Sequence, residues 1–356
     1  MDDGELLARL AACYSPSGHE AAAVREFVRW ARRLGYRARV DAAGNGVAVR
    51  GSGEPELLFL GHIDTVEGER PVRRAHGRTH GRGVVDAKGA LVAALRAGAD
   101  RIGGGTLRIV AAVGEETDSR GTRHLLRGRR PAGVIAGEPS GWDGVTVGYK
   151  GVCRFEAEFR GRRSHYSSPQ PTAADRAVAW IGGLRRWVDA RATDSRFRTP
   201  SAKVIAWSTG PGGDTEVARV TVDARLPPGL SVAQFLAAVP RERGEPRLRP
   251  IARAEPVEIP PSNAVASAFL SAIRAEGARP TIWRKSGTSD LNLAVAAWGV
   301  PGVAYGPGDS RLDHTAREVL SDADLGRSVR VLRRAFDELL GTPGRPATLR
   351  RSAGGA

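Results

Sequence analysis

The sequence predicts an α/β protein with a mostly parallel sheet flanked by helices and a smaller α+β, ferredoxin-like domain inserted into it. Three observations carry that expectation. Strand-like and helix-like segments alternate over the first 150 residues, as they do where strand–helix–strand units build a parallel sheet. ELLFLG (56–61) is a continuous apolar run, the pattern of a strand covered on both faces. After Gly151 the pattern switches to a two-residue alternation, VCRFEAEFRG, and the earlier alternation returns only near residue 260.

The elements follow in order. Ser17 and Glu20 fit an S-x-x-E capping box opening a helix to about Leu34, which Gly35 stops. Asn45-Gly46, between RARVDAAG and VAVR, predicts a tight hairpin turn. After ELLFLG come a helix from Ala87 to about Arg101, the strand TLRIVAAV, a helix around Thr122 to Arg127, and the strand GVIAG. Within the insertion, VCRFEAEFRG precedes a helix from about Thr172 to Ala190. The strand EVARVTVDARL, a helix near Val232 to Val239 and a strand near Pro246 to Ala254 complete a βαββαβ-like run. A helix through Ile273, another after Ser289, the strand GVAYG and a last helix from about Ala323 to Leu340 return the chain to its first pattern. The expected division is residues 1–150 with 257–341 as one discontinuous α/β domain, 151–256 as the insertion, and 342–356 as a disordered tail.

Composition narrows the function classes. The net charge is +15, from 54 basic and 39 acidic residues, and only Lys88, Lys150, Lys203 and Lys285 among the basic ones are lysine. That skew reads as a GC-rich coding bias that writes arginine wherever a cation serves. Basic residues are spread along the chain with no block interleaved with aromatics, so nucleic-acid binding is not expected. Two cysteines cannot make a disulfide framework, which favours a reducing compartment. The acidic start MDDGELLARL lacks the pattern of a signal peptide, and no apolar run reaches the roughly 20 residues of a membrane span. A cytoplasmic protein without membrane contact is expected.

Chemistry gathers where apolar strands end. The strand LFLG runs into His62 and Asp64, and four further clusters break the apolar pattern: GRGVVDAKGA, VGEETDS, IAGEPS and RLDHTARE. Ligands of open α/β sheets bind beyond the carboxyl ends of the strands, so such clusters converge on one crevice. Histidine and carboxylate donors without cysteine suit Zn²⁺, Co²⁺ or Mn²⁺ in a catalytic site. Two histidines and three carboxylates exceed what one open site needs, and match two ions sharing a bridging carboxylate.

The ordered set HID, GRGVVDAKG, GEE, GEP and a late DH resembles the M20-type co-catalytic metallopeptidase and deacylase superfamily, over roughly residues 1 to 340. That superfamily includes carboxypeptidase G, acetylornithine deacetylase and succinyl-diaminopimelate desuccinylase. The resemblance implies His62, Asp86 and Glu138 on one metal ion and Asp86, Glu116 and His314 on the other, with Asp86 bridging. It implies Glu115 as the general acid/base, Asp64 as the group orienting His62, and His165, in RRSHYSSP, as the stabiliser of the oxyanion. It also implies a homodimer through the inserted domain. GEPSGWDGVTVGYKG, KSGTSDLN and YGPGDSRLDHT are most similar to the subgroup that releases lysine or ornithine from a small acidic amino-group carrier protein of the LysW type. These enzymes of lysine and arginine biosynthesis cut the amide at the carrier's terminal glutamate side chain. An acidic partner would give the +15 charge a use in steering. The alternative is a deacylase of a free N-acyl amino acid, of the acetylornithine or succinyl-diaminopimelate type.

Arg225 could meet a substrate carboxylate or be an ordinary strand cation. Gly287 and Thr288 resemble a substrate-contacting loop, and Ser289 beside them fits a helix cap. Lys88, Lys150 and Lys285 stand out because a compact ammonium is retained where arginine is the default. His76 and His80 are spaced like a metal pair but sit in an arginine-rich loop and are read as exposed.

Overall fold

A computed structural model describes residues 2–100, 104–165, 167–241 and 245–349. The chain divides into two compact units. Met1–Gly148, Ile259–Trp283 and the chain from Ser289 onward form the first; Tyr149–Glu258 with Arg284–Thr288 form the second. The expected boundaries fell at 150/151 and 256/257, and the short segment 284–288 was not anticipated in the second unit.

In the first unit the sheet runs Arg37–Val40, Gly46–Gly51, Thr106–Ala112, Glu56–His62, Gly133–Gly137, Gly302–Ala304 and Gly144–Tyr149. The four strands in the middle of that order are mutually parallel. Glu56–His62 lies between two parallel neighbours, and Leu57 to Leu60 are at most 2% exposed, which explains its unbroken apolar sequence. The helices Lys88–Ala99, Ala264–Ala275 and Asp322–Leu340 pack in this unit's core with Phe59, Phe269, Tyr305 and Phe336. A small separate sheet joins Arg73–Ala75, Arg78–His80 and Val319–Ser321.

Three expectations are corrected here. The capping box at Ser17 does not form. The helix is Ala21–Arg33 and has no side-chain cap, because Ser17 Oγ is engaged by Asp64 and Glu20 pairs with Arg120. Asn45-Gly46 is not a two-residue turn, since Gly46 already pairs with Val40 in the ladder. Asp41 closes the 41–45 loop by accepting the N–H groups of Ala43 and Asn45. The Asn45 amide is buried, donating to Gly121 O and accepting from Val113 N. Residues 342–349 are not a loose tail. Thr348 and Leu349 donate backbone hydrogen bonds to Glu338 and Leu339, and Leu349 is buried in the core. The remaining tail positions, 350–356, lie outside the described residues.

The second unit is a four-stranded antiparallel sheet, ordered Ser201–Gly212, Thr215–Leu226, Gly151–Arg162 and Arg247–Ala254. Its helices Ala173–Asp189 and Val232–Ala238 contribute Trp180 and Phe235 to a core around Phe155. Thr172 and Asp175 cap the first of them reciprocally. In chain order this is βαββαβ. The strand Ser201–Gly212 escaped sequence reading because it is an edge with no buried face: Ile205 is 51% and Trp207 40% exposed. No described helix is long and apolar enough to cross a membrane.

Candidate metal centre

The parallel strands deliver the donors. Glu56–His62 ends on His62; Thr106–Ala112 runs into the loop holding Glu115 and Glu116; Gly133–Gly137 is followed at once by Glu138. These three strands are adjacent, so their carboxyl ends bring the four side chains together. Asp86 stands just before the helix Lys88–Ala99, and His314 sits between the strands Gly302–Ala304 and Val319–Ser321. Gly61 is required for close packing here, since a Cβ would lie 2.9 Å from Leu91 Cδ2.

Asp86 is the hub. Its Oδ1 lies 3.1 Å from His62 Nε2 and its Oδ2 lies 3.1 Å from His314 Nε2. His314 Nε2 is also 2.9 Å from Glu116 Oε1. Two triads, His62–Asp86–Glu138 and Asp86–Glu116–His314, each keep their donor atoms within 4.8 Å of one another and share Asp86. His62, Glu115 and Glu116 form a third such group.

Asp64 does more than face His62. The His62 Nδ1 is 2.9 Å from the Asp64 backbone oxygen and 3.6 Å from its Oδ1. The carboxylate itself accepts Ser17 Oγ at 2.6 Å and the N–H groups of Glu115 and Glu116 at 3.1 Å each. One buried residue thus fixes an imidazole on one side and the Glu115–Glu116 loop on the other.

Charges in the crevice act on one another through direct contacts. Burial pushes Asp86 up, yet its bonds to His314 and His62 hold it below the usual carboxylate range. Burial opposes charge on His62, but Asp64 and Asp86 outweigh it and raise its pKa well above the ordinary imidazole value. His314 is pushed up to about 10 by Asp86 and Glu116. Burial raises Glu115 well above a normal carboxyl; His62 opposes this, while Glu138, Asp290 and Glu116 add to it. Clustered acids at this depth favour a dication that balances them. The nitrogen and oxygen donor set fits one, and leaves positions open for water or substrate.

Among the other sequence candidates, His165, Arg225, Gly287, Thr288 and Lys150 belong to the second unit, and Lys88 and His76 to the first. His165 is exposed, with Nδ1 2.7 Å from Ser167 Oγ. Arg225 donates to Thr288 Oγ1 at 2.7 Å and pairs with Asp223; Gly287 is exposed beside Thr288. Lys88 is fully buried, donates to Cys13 O at 2.8 Å, and is lowered to about 8 by burial. Lys150 is also buried, its Nζ bonded to Thr199 O. His76 is exposed in the turn before Arg78–His80. The sequence gives no role to Arg82, Glu318 or Asp290, and reads Ser17 as a helix cap although its hydroxyl donates to Asp64. Arg82 and Glu318 form a buried ion pair, and Asp290 is buried against Thr122, pushed up to about 6 by burial.

A parallel α/β sheet with imidazole and carboxylate donors converging at adjacent strand ends, two triads sharing one aspartate, defines a metal-dependent amide hydrolase. The chain belongs to peptidase family M20/M25/M40, whose model matches residues 58–338. It is 39% identical over 351 residues to the LysW-lysine hydrolase of Deinococcus radiodurans, covering 95% of this chain and 97% of that protein. It is 36% identical to a putative LysW-lysine/LysW-ornithine hydrolase of Pyrobaculum aerophilum, covering 95% and 98%. Among solved structures, the aminopeptidase PepT from Bacillus cereus superposes with a TM-score of 0.74 at 18% identity, covering 95% of this chain and 98% of that one. The M20 metallo-carboxypeptidase Sso-CP2 from Sulfolobus solfataricus gives 0.73 at 16%, covering 94% and 99%. These two likenesses concern the fold.

Proposed function

We propose that the protein hydrolyses the amide joining lysine or ornithine to the terminal glutamate side chain of a small acidic carrier protein, releasing the free amino acid in lysine or arginine biosynthesis. The observation that carries this reading is the 39% identity, over 95% of the chain, to a LysW-lysine hydrolase. Relatives at 36%, 34% and 31% identity bear the name putative LysW-lysine/LysW-ornithine hydrolase. The enzyme works in the cytoplasm as a homodimer formed through the second unit.

His62, Asp86 and Glu138 would hold one divalent ion and Asp86, Glu116 and His314 another, Asp86 serving both triads. Zn²⁺ suits this set, and Co²⁺ or Mn²⁺ are compatible with it. When bound, the ions supply Lewis acidity that polarises the scissile carbonyl and makes a water acidic near neutral pH. Glu115 accepts the proton of the attacking water and passes it to the leaving amine nitrogen. It lies in one donor group with His62 and Glu116, which puts a carboxylate next to the ligands, where such a shuttle must stand. Asp64 holds the Glu115 backbone and the His62 ring in place for this. His165 donates to the oxyanion across the dimer, and Arg225, Gly287 and Thr288 contact the amino acid being released.

The deciding assay compares lysine and ornithine release from the carrier with turnover of N-acetylornithine and N-succinyl-diaminopimelate. Robust turnover of the carrier-linked amide, with the free N-acyl amino acids poor, is expected. Robust rates confined to the free substrates would replace this reading with the deacylase one.

A further inference from the structure

Arg82 and Glu318 form an ion pair that the proposed chemistry does not use. Their side chains are 6% and 2% exposed, and Arg82 Nη1 lies 2.5 Å from Glu318 Oε1. A buried pair of this kind rarely adds net stability, because desolvating both charges offsets their attraction. Its contacts point to another role. Glu318 Oε2 accepts the N–H of Gly83 at 2.9 Å and of Val85 at 3.4 Å, and Val85 immediately precedes Asp86. Arg82 Nη1 donates to Thr315 O at 3.2 Å, the residue after His314, and its Nε donates to Gly68 O at 3.2 Å. The short antiparallel ladder pairing Val319 with His80 and Ser321 with Arg78 flanks the same junction.

The pair therefore bolts the loop that presents Asp86 to the loop that presents His314. That second loop needs holding: His314 has φ 61°, a left-handed backbone that a non-glycine residue keeps only when its surroundings impose it. His314 is also half exposed, unlike the buried His62, so packing does little to fix it. His62, by contrast, ends a strand held on both sides by ladder bonds.

We propose that Arg82–Glu318 is the positioning device for the half of the metal centre made by Asp86, Glu116 and His314, while the half made by His62, Asp86 and Glu138 relies mainly on the sheet. This rests on the ligand assignment proposed above. Removing one partner strands a buried charge, whereas replacing both by apolar side chains of similar size is often neutral for folding. The double variant Arg82→Met/Glu318→Leu therefore separates positioning from stability.

The test titrates metal-free full-length protein with Co²⁺, reading visible absorbance and ion content, with melting temperature measured alongside. Wild-type protein is expected to take up two ions. The double variant is expected to keep its melting temperature and its first ion, while the second binds about 10–100-fold more weakly, as for other supports of metal ligands. Glu318→Gln retains an acceptor for Gly83 and Val85 but not the charge pairing, and should fall between the two. It decides the matter if the double variant does not fold. Two ions bound with wild-type affinity by the folded double variant, or by Glu318→Gln in its place, overturns the positioning role. A wild-type protein that takes up only one ion overturns instead the ligand assignment beneath it.

Discussion

Asp64 holds the backbone of Glu116: its Oδ2 accepts the Glu116 N–H at 3.1 Å, while Oδ1 accepts that of Glu115 at the same distance. Asparagine would keep one acceptor oxygen and turn an NH₂ donor toward a group that is itself a donor. Asp64→Asn is expected to lower kcat about 10–100-fold, with KM little changed, in steady-state assays of lysine release. Wild-type kcat would remove Asp64 from the positioning of this loop.

Glu115 is assigned the proton transfers, not a place on the ions. Glu115→Gln should cut kcat by about 10²–10⁴-fold, the usual worth of a positioned acid/base, while ion content by elemental analysis stays at the wild-type level. Full activity in the variant would move the proton transfers to another group.

Charge in the metal-free crevice sets a pH dependence. His62 and His314 are both raised above the ordinary value of 6.5, His314 to about 10. A raised imidazole contributes stability that is fully present below pH 6.5 and is lost as pH rises through the folded value. Metal-free protein should therefore unfold more easily at pH 10 than at pH 7 in urea titrations. Because ligating imidazoles must be neutral, ion uptake at pH 7 should release about two protons, and affinity should climb with pH. Calorimetry in buffers of different ionisation enthalpy reads that release directly; no proton release would contradict the assignment of both histidines as ligands.

Gly306 lies against Glu138. A Cβ there would sit 2.7 Å from Ala90 Cβ and 2.9 Å from the Glu138 backbone oxygen. Gly306→Ala should destabilise the protein by about 1–3 kcal/mol, as overpacking does, and weaken ion binding by shifting Glu138. Chemical denaturation and ion titration of the same variant test both effects.

Much of this was legible from sequence because the residues concerned are local exceptions to a periodic pattern. His62 ends an apolar strand, Glu138 follows one, and Asp86 opens a helix, so each was visible as a polar residue at a predictable junction. What stayed hidden depends on partners far apart in the chain. Ser17 reads as a helix cap until Asp64, 47 residues away, claims its hydroxyl. Arg82 and Glu318 are 236 residues apart and look like ordinary surface charges in a chain rich in both. Asn45 reads as a turn residue, although its amide is spent on Val113 and Gly121 in the interior. Leu349 lies in a segment whose composition signals disorder, and only the core shows why it is held.

The most direct test is anomalous scattering from crystals of the metal-loaded protein. Two peaks are expected, roughly 3.5–4 Å apart, with the Asp86 carboxylate between them and His62 and His314 on opposite ions. A single peak, or two peaks with Asp86 bound to neither, would contradict a two-ion centre built on this aspartate.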